Sequence, residues 1–210
     1  MADGFFDDDQ RATIEAAMAR IIPSDDLPGA REAGSIDFLD RYLAGLGAVY
    51  AKPDGSGFEE LVGKQAEAWQ RRLDTIRARY VAGIADLDQR SRNLFGAGFA
   101  GLGEAQQDRI LAELETGDVK SESDREEEAP PLQQTKAEID LDFFPLLCLH
   151  TRQGFYADPI YGGNRGRVGW DVIGFPGPAS LAEVHTGRYN TLAWFAEDQP
   201  DHDGETERGA

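Results

Sequence analysis

No proline interrupts the chain between Pro53 and Pro130, and this constrains the fold more than any other feature of the sequence. The intervening segment is rich in Ala, Glu, Gln, Arg and Leu, which favour helix, whereas proline is the residue that a helix interior tolerates least. The alternation of apolar and polar residues that marks strands is scarce along the whole chain. We therefore predict a mainly α fold, an irregular array of about five or six helices closed by a long Gly/Pro/aromatic-rich C-terminal segment.

The spacing of apolar residues at intervals of three and four predicts where these helices lie. The expected helices run from an N-cap at Asp8 or Asp9 to Ile22, from a cap at Ser35 to Leu46, from Phe58 to Leu87, from Asp88 to Phe95, from Glu104 to Glu115 with Gly117 as C-cap, and from Asp140 to Tyr156. Pro23 should end the first helix, and Pro145 fits the last one only within its first turn.

The chain is expected to form one helical domain over residues 5–181. Within it, residues 118–138 contain the run SESDREEEAPP, which is acidic, poor in apolar residues and ends in two prolines. Such a composition cannot bury enough apolar surface to pack, so this stretch is predicted to be an acidic surface insertion. Residues 182–210 are expected to form a C-terminal extension and tail.

Charge and cysteine content exclude several classes of protein. There are 39 acidic and 21 basic residues, a formal net charge of -18, and this repels nucleic acid and anionic membranes. A single cysteine allows neither an internal disulfide nor a Cys-x-x-Cys site, and no apolar run approaches the ~18 residues of a membrane span. The N-terminal sequence lacks the pattern of a signal peptide, so as the sequence stands we expect a cytoplasmic protein.

Residues 149–178 combine five aromatic residues with seven glycines and three prolines. The glycines and prolines oppose a regular helix, and the aromatic content is too high for a disordered linker. We interpret this segment as a structured loop that forms a docking or pocket-shaping surface. The residues expected at a partner interface are Phe155, Tyr156, Tyr161, Asn164, Trp170 and Phe175. For Trp170 the alternative is that the ring packs on this chain's own helices and contributes to its stability.

Motifs that could carry chemistry are weak. Residues 96–101 match G-x-G-x-x-G, but a charged helical run precedes them where a dinucleotide site requires a strand, so we predict a helix–helix connection. Residues 162–167, GGNRGR, could bind an anion, although a loop of turns that uses glycine at positive φ is favoured. The three histidines are too scattered for a metal motif. No catalytic, cofactor-binding or metal-ligating residue is therefore predicted in this chain.

The competing hypothesis is a stand-alone enzyme or small-ligand-binding protein. It would use a pocket beside the aromatic loop, where polar side chains of suitable chemistry occur. The residues concerned are His150, Arg152, Asp158 and Arg165. A ligand that stabilises the isolated chain against heat would favour this hypothesis.

Two parts of the chain, residues 5–45 and 149–178, resemble the gluconate 2-dehydrogenase subunit 3 family, and the resemblance extends over about residues 5–181. Its most specific residues are Asp158, Gly162, Gly163, Asn164, Gly169 and Trp170. The resemblance implies a non-catalytic accessory subunit that stabilises, folds or delivers the large subunit of a bacterial dehydrogenase. That partner would be an FAD-binding protein of the glucose–methanol–choline class that oxidises sugars, glycosides or polyols. The FAD is expected in the partner and no cofactor in this chain. Because many members of the family carry a twin-arginine signal, the resemblance also implies a periplasmic location as the alternative, if such a signal has been removed.

Overall fold

A computed structural model describes residues 4–54, 56–126 and 138–177, with only the backbone described for 117–126. Within these ranges the chain is mainly α-helical, as predicted, and its extended structure is limited to one isolated antiparallel bridge between Ala51 and Phe58. The six α-helices are α1 (Asp8–Ile21), α2 (Ser35–Ala44), α3 (Gly63–Phe95), α4 (Glu104–Glu126), α5 (Phe143–Tyr156) and α6 (Val168–Val172). Short 3₁₀ turns connect them, and the one at Glu138–Asp140 leads into α5.

Local chemistry explains the ends of the first helices. Asp7, one residue before the expected position, caps α1: its side chain accepts from the backbone N–H of Gln10 at 2.8 Å and the Gln10 side chain accepts in return. At α2 the predicted cap at Ser35 is wrong, because Gly34 takes the cap position with φ 64° and Ser35 is already helical. This helix ends at Ala44, before the expected Leu46, because Gly45 has φ 155°.

The third and fourth helices are longer than the sequence predicted. The two helices expected over 58–87 and 88–95 form a single helix, α3. This helix begins at Gly63 and not at Phe58, because Phe58 pairs with Ala51 in the isolated bridge. The helix stops at Gly96, which has φ 79°. In α4 the predicted C-cap at Gly117 is wrong, because the helix continues through it to Glu126. The G-x-G-x-x-G segment lies between α3 and α4, which confirms a helix–helix connection.

The core forms where α5 packs on α2, with α1, α3 and α4 around this pair. The apolar stripes predicted for α1 to α4 supply most of it, including the fully buried Ile14, Leu39 and Leu73. Pro145 lies in the first turn of α5, as expected. A close approach of backbones anchors the C-terminal loop, since a Cβ on Gly163 would lie 2.1 Å from the carbonyl oxygen of Gly154 in α5.

Candidate functional site: an aromatic pocket above a buried carboxylate

A pocket of about 610 Å³ opens between α2, α3 and α5, and five aromatic residues are among those that line it. The rings belong to Phe38, Tyr42, Trp69, Tyr156 and Tyr161. Two of them, Phe38 and Tyr42, share one face of α2 because residues four apart on a helix lie on the same face. The rings of Phe38 and Tyr42 accordingly stack on α2 with centroids 6.2 Å apart. The volume is that of a site for a small molecule or a short peptide segment.

Three charged residues reach the same pocket: Arg72 from α3, Arg152 from α5, and Glu138 from the turn before α5. The guanidinium carbon of Arg72 lies 4.9 Å from the ring centroid of Trp69, three residues earlier on the same helix face. The Arg152 side chain is exposed. Its Nε donates to the carbonyl oxygen of Cys148 at 3.3 Å, and no acidic side chain among the described residues pairs with it.

Glu138 is the polar centre of the pocket floor, and its side chain is only 9% exposed. One carboxylate oxygen lies 2.7 Å from His150 Nε2 and accepts from the Tyr42 hydroxyl at 3.2 Å. The other oxygen is paired with Arg72. Burial alone would raise the pKa of Glu138, but the hydrogen bonds and the charges of His150 and Arg72 outweigh it and lower that pKa to about 2. The carboxylate is therefore ionised and already satisfied by three neighbours.

Behind the Glu138 carboxylate, His150 and Tyr80 extend the hydrogen-bonded contacts into the core. Both residues are fully buried, and the Tyr80 hydroxyl lies 2.8 Å from His150 Nδ1. Because a carboxylate can only accept, His150 Nε2 carries the hydrogen that faces Glu138. Burial, followed by the negative charge of Glu138, raises the pKa of Tyr80 well above its ordinary value, so its hydroxyl stays protonated. The hydrogen-bonded series Tyr80–His150–Glu138 thus joins α3, α5 and the turn before α5.

This arrangement has the residue types of a proton relay but not the access that catalysis requires. A general base needs a free lone pair near the substrate and a pKa near the working pH. Tyr80 and His150 are closed off from solvent, and Glu138 has its oxygens occupied and its pKa lowered to about 2. This hydrogen-bonded series is suited to holding a fixed negative charge on Glu138 and to orienting Arg72 at the pocket wall.

Of the four residues expected around a pocket, the structure brings two to this site. Arg152 lines the pocket, and His150 lies directly beneath it through its contact with Glu138. Asp158 instead accepts from the backbone N–H of Ile160 at 2.9 Å and caps a short 3₁₀ helix. Arg165 is paired with Asp37 on α2. This pocket therefore does not bring the four side chains together, and their shared role in ligand binding stays a prediction.

Sequence reasoning missed Glu138, Arg72 and Trp69. Glu138 was placed in a solvated insertion, because it follows a long acidic run and nothing in its neighbours distinguishes it from the other acids. Its burial depends on His150 and Arg72, which are distant in sequence and meet it only in the fold. The apolar spacing of α3 predicts that Trp69 faces the core, whereas it is half-buried and lines the pocket.

Three of the residues expected at a partner interface are buried within this chain: Phe155, Asn164 and Trp170. Trp170 is 5% exposed, and its Nε1 donates to the carbonyl oxygen of Tyr156 at 2.7 Å. Asn164 donates to the carbonyl oxygen of Ala157 at 2.9 Å and accepts from the backbone N–H of Gly169 at 2.8 Å. Such side chains order the loop and offer no surface to a partner. An interface role stays a prediction for Tyr156, Tyr161 and Phe175, which keep exposed surface.

The segment 162–167 is a loop of consecutive turns, as favoured from its sequence. Gly162 and Gly166 have φ values of 107° and 65°, and Asn164 also lies in the left-handed region with φ 46°. Within this segment, Arg165 forms an ion pair with Asp37 on α2. Of the histidines, His185 and His202 lie outside the described residues. Within the described residues no three His, Cys, Asp or Glu side chains are grouped closely enough to hold a metal ion.

Comparison with known families gives a match to a family model described as gluconate 2-dehydrogenase subunit 3, which covers residues 8–177. The match extends over most of the chain and includes every element that forms the pocket. Comparisons with curated proteins and with solved structures find no match. Among the helices of the described residues, none has the length and apolar character needed to cross a membrane.

Proposed function

The chain belongs to the gluconate 2-dehydrogenase subunit 3 family, and from this premise we propose that it is the non-catalytic accessory subunit of an FAD-dependent dehydrogenase. In this proposal the large subunit is of the glucose–methanol–choline class, binds FAD and oxidises a sugar, a glycoside or a polyol. The present chain binds that subunit and stabilises, folds or delivers it. The observation that carries the proposal is the family match over residues 8–177, because the family is defined as a subunit.

The geometry of the site supports an accessory role. The ionisable groups that reach the pocket floor bind one another: Glu138 with His150 and Arg72, and His150 with Tyr80. An enzyme keeps its acids and bases within reach of a substrate and tunes their pKa values toward the working pH, which this floor does not do. A rigid pocket with aromatic walls is instead typical of recognition.

Co-expression tests this proposal directly. A candidate flavoprotein large subunit, sought among the reading frames next to this gene, is produced alone and together with this chain, and soluble yield, flavin absorbance and dye reduction with candidate sugars are measured. We expect active flavoprotein only, or predominantly, from co-expression, and co-elution of both chains on size exclusion. The isolated present chain should show neither flavin absorbance nor dye reduction. Flavin bound to the isolated chain would overturn the proposal.

A second candidate function is the binding of a small ligand by the isolated chain, and the pocket of about 610 Å³ is the observation that favours it. Arg152 and the ionised Glu138–Arg72 pair would supply its polar contacts. Asp158 and Arg165 play no part, because both are engaged elsewhere. Thermal stabilisation of the isolated chain by a sugar acid or another small molecule, lost in Arg152→Ala, would establish this function instead.

A further inference from the structure

We propose that the aromatic pocket is the docking site for a projecting segment of the dehydrogenase large subunit, one that carries a large apolar side chain next to an Asp or Glu. This inference rests on the proposed function, and it adds where the partner binds and what chemistry it presents. The C-terminal loop that the sequence singled out then serves mainly to hold one side of the pocket in place.

The charges of the pocket define half of the partner's chemistry. The chain as a whole carries a formal charge of -18, yet the pocket contains two arginines and one carboxylate. That carboxylate is neutralised by Arg72, which leaves the guanidinium of Arg152 as the charge that faces an incoming group. An acidic side chain would pair with it, and a partially desolvated guanidinium–carboxylate contact is strong and directional.

The aromatic lining defines the other half. Five aromatic residues line a volume of about 610 Å³, which is enough for a large side chain and its neighbours. Burial of an aromatic or long aliphatic side chain between such rings removes much apolar area from water on both sides. The pocket therefore favours an apolar anchor over a fully polar segment.

The apolar surface extends beyond the pocket, and this favours a protein over a small molecule as its occupant. Tyr156 on the rim is 40% exposed. Tyr50, 39% exposed, packs edge-on against Trp69 with ring centroids 5.6 Å apart. Since Trp69 lines the pocket and Tyr50 continues the aromatic surface past it, an occupant that covers both must be larger than the pocket itself. Central anchors with a surrounding contact ring are the usual form of protein interfaces.

Two variants on the rim and two matched controls test the inference. Arg152→Glu reverses the charge offered to the partner, and Tyr156→Ala removes an exposed ring. Arg71→Glu makes the same charge change on an exposed arginine outside the pocket lining, and Ile173→Ala truncates an exposed apolar side chain of the C-terminal loop. Affinity for the purified large subunit is measured by titration calorimetry, and the melting temperature of each free variant is recorded beside it.

The pocket variants should bind about tenfold or more weakly than the wild type, with melting temperatures unchanged, while both controls bind as the wild type does. If Arg152→Glu lowers the melting temperature, Arg152→Gln replaces it. If the wild type binds the large subunit and both pocket variants bind it with the same affinity, this inference is overturned and the proposed function stands. Failure of the wild type to bind the large subunit overturns both.

Other occupants of the pocket give distinct results. A homodimer of the isolated chain in sedimentation that Arg152→Glu dissociates would assign the pocket to a second copy. A small molecule retained by the isolated chain in native mass spectrometry, and lost in Tyr156→Ala, would assign it to a ligand. Either result overturns the inference.

Discussion

Glu138 remains ionised in a nearly dry position because three donors converge on its two oxygens. His150 and Tyr42 share one oxygen, and Arg72 takes the other. The same contacts hold the turn before α5 against α2 and α3, so a single carboxylate fixes the floor of the pocket. Removing one partner of such a buried carboxylate leaves the remaining charged or polar groups buried without a counterpart. This lowers the free energy of unfolding more than the loss of an exposed ion pair does.

We expect Glu138→Gln to destabilise the free chain by roughly 2 kcal/mol at pH 7, because charge-assisted hydrogen bonds become neutral ones. The pKa of Glu138 is lowered from about 4.5 to about 2 by folding, so the ionised group contributes stability above pH 4.5 and loses it as the pH falls toward 2. The difference between wild type and variant should therefore shrink below about pH 4.5, as urea unfolding at several pH values can measure. A difference that stays constant down to pH 3 would contradict this account.

Trp170 belongs to the fold of this chain, since its ring packs against Phe175 with centroids 5.3 Å apart and is 5% exposed. We expect Trp170→Ala to lower the free energy of unfolding by about 3–5 kcal/mol, as measured by denaturant titration. Ile173→Ala, three residues away and 57% exposed, is the control and should change it by less than about 0.5 kcal/mol. If Trp170→Ala instead melts as the wild type and weakens the complex, the ring is an interface anchor after all.

At the scale of elements, apolar spacing located the helices but not all of their ends. The stripes of α1 to α4 are strong signals because burial repeats with the helical period. Helix ends depend on single residues that compete for the cap: Asp7 in a row of acids, and Gly34 before Ser35. A glycine can end a helix or continue it, and the sequence alone does not separate Gly96, which ends α3, from Gly117, which continues α4.

Gly117→Ala tests this distinction by the sign of its effect. Inside a helix, alanine should raise the free energy of unfolding by about 0.5–1 kcal/mol, because it restricts the unfolded backbone and favours helix. The matched control is Gly96→Ala, where φ is 79° and a side chain is strained, so a loss of about 1 kcal/mol is expected. Thermal unfolding of both variants measures the two effects. Destabilisation by Gly117→Ala would mean that the helix ends there, as first predicted.

The site could be predicted only in part. The sequence singled out Arg152, Tyr156 and Tyr161, and these three residues line the pocket, with His150 beneath it. It did not indicate Glu138 or Arg72, because a buried ion pair between distant segments has no local pattern. It also treated all the aromatic residues of the C-terminal loop alike, whereas close packing at Gly169 draws some of them inward: a Cβ there would lie 2.0 Å from the carbonyl oxygen of Phe155.

For the whole molecule, net charge opposes compactness. A formal charge of -18 on 210 residues creates self-repulsion in the folded state, and the ion pairs on its surface, such as those of Arg20 with Glu104 and Asp108, offset only part of it. Exposed pairs of this kind contribute little individually. Arg152 on the pocket rim is a positive charge on an acidic molecule, and it would help to orient an approaching acidic segment.

Self-repulsion predicts that salt stabilises the free chain at neutral pH. Raising NaCl from about 10 to about 300 mM shortens the Debye length from roughly 30 Å to less than 10 Å, which screens repulsion between distant acids more than it weakens short ion pairs. We therefore expect the melting temperature at pH 7 to rise with NaCl in scanning calorimetry. Near the isoelectric point of 4.4 the net charge vanishes, so the same salt series should have little effect there and serves as the control. A melting temperature that falls with salt at pH 7 would show instead that the surface ion pairs outweigh the repulsion among the excess acids.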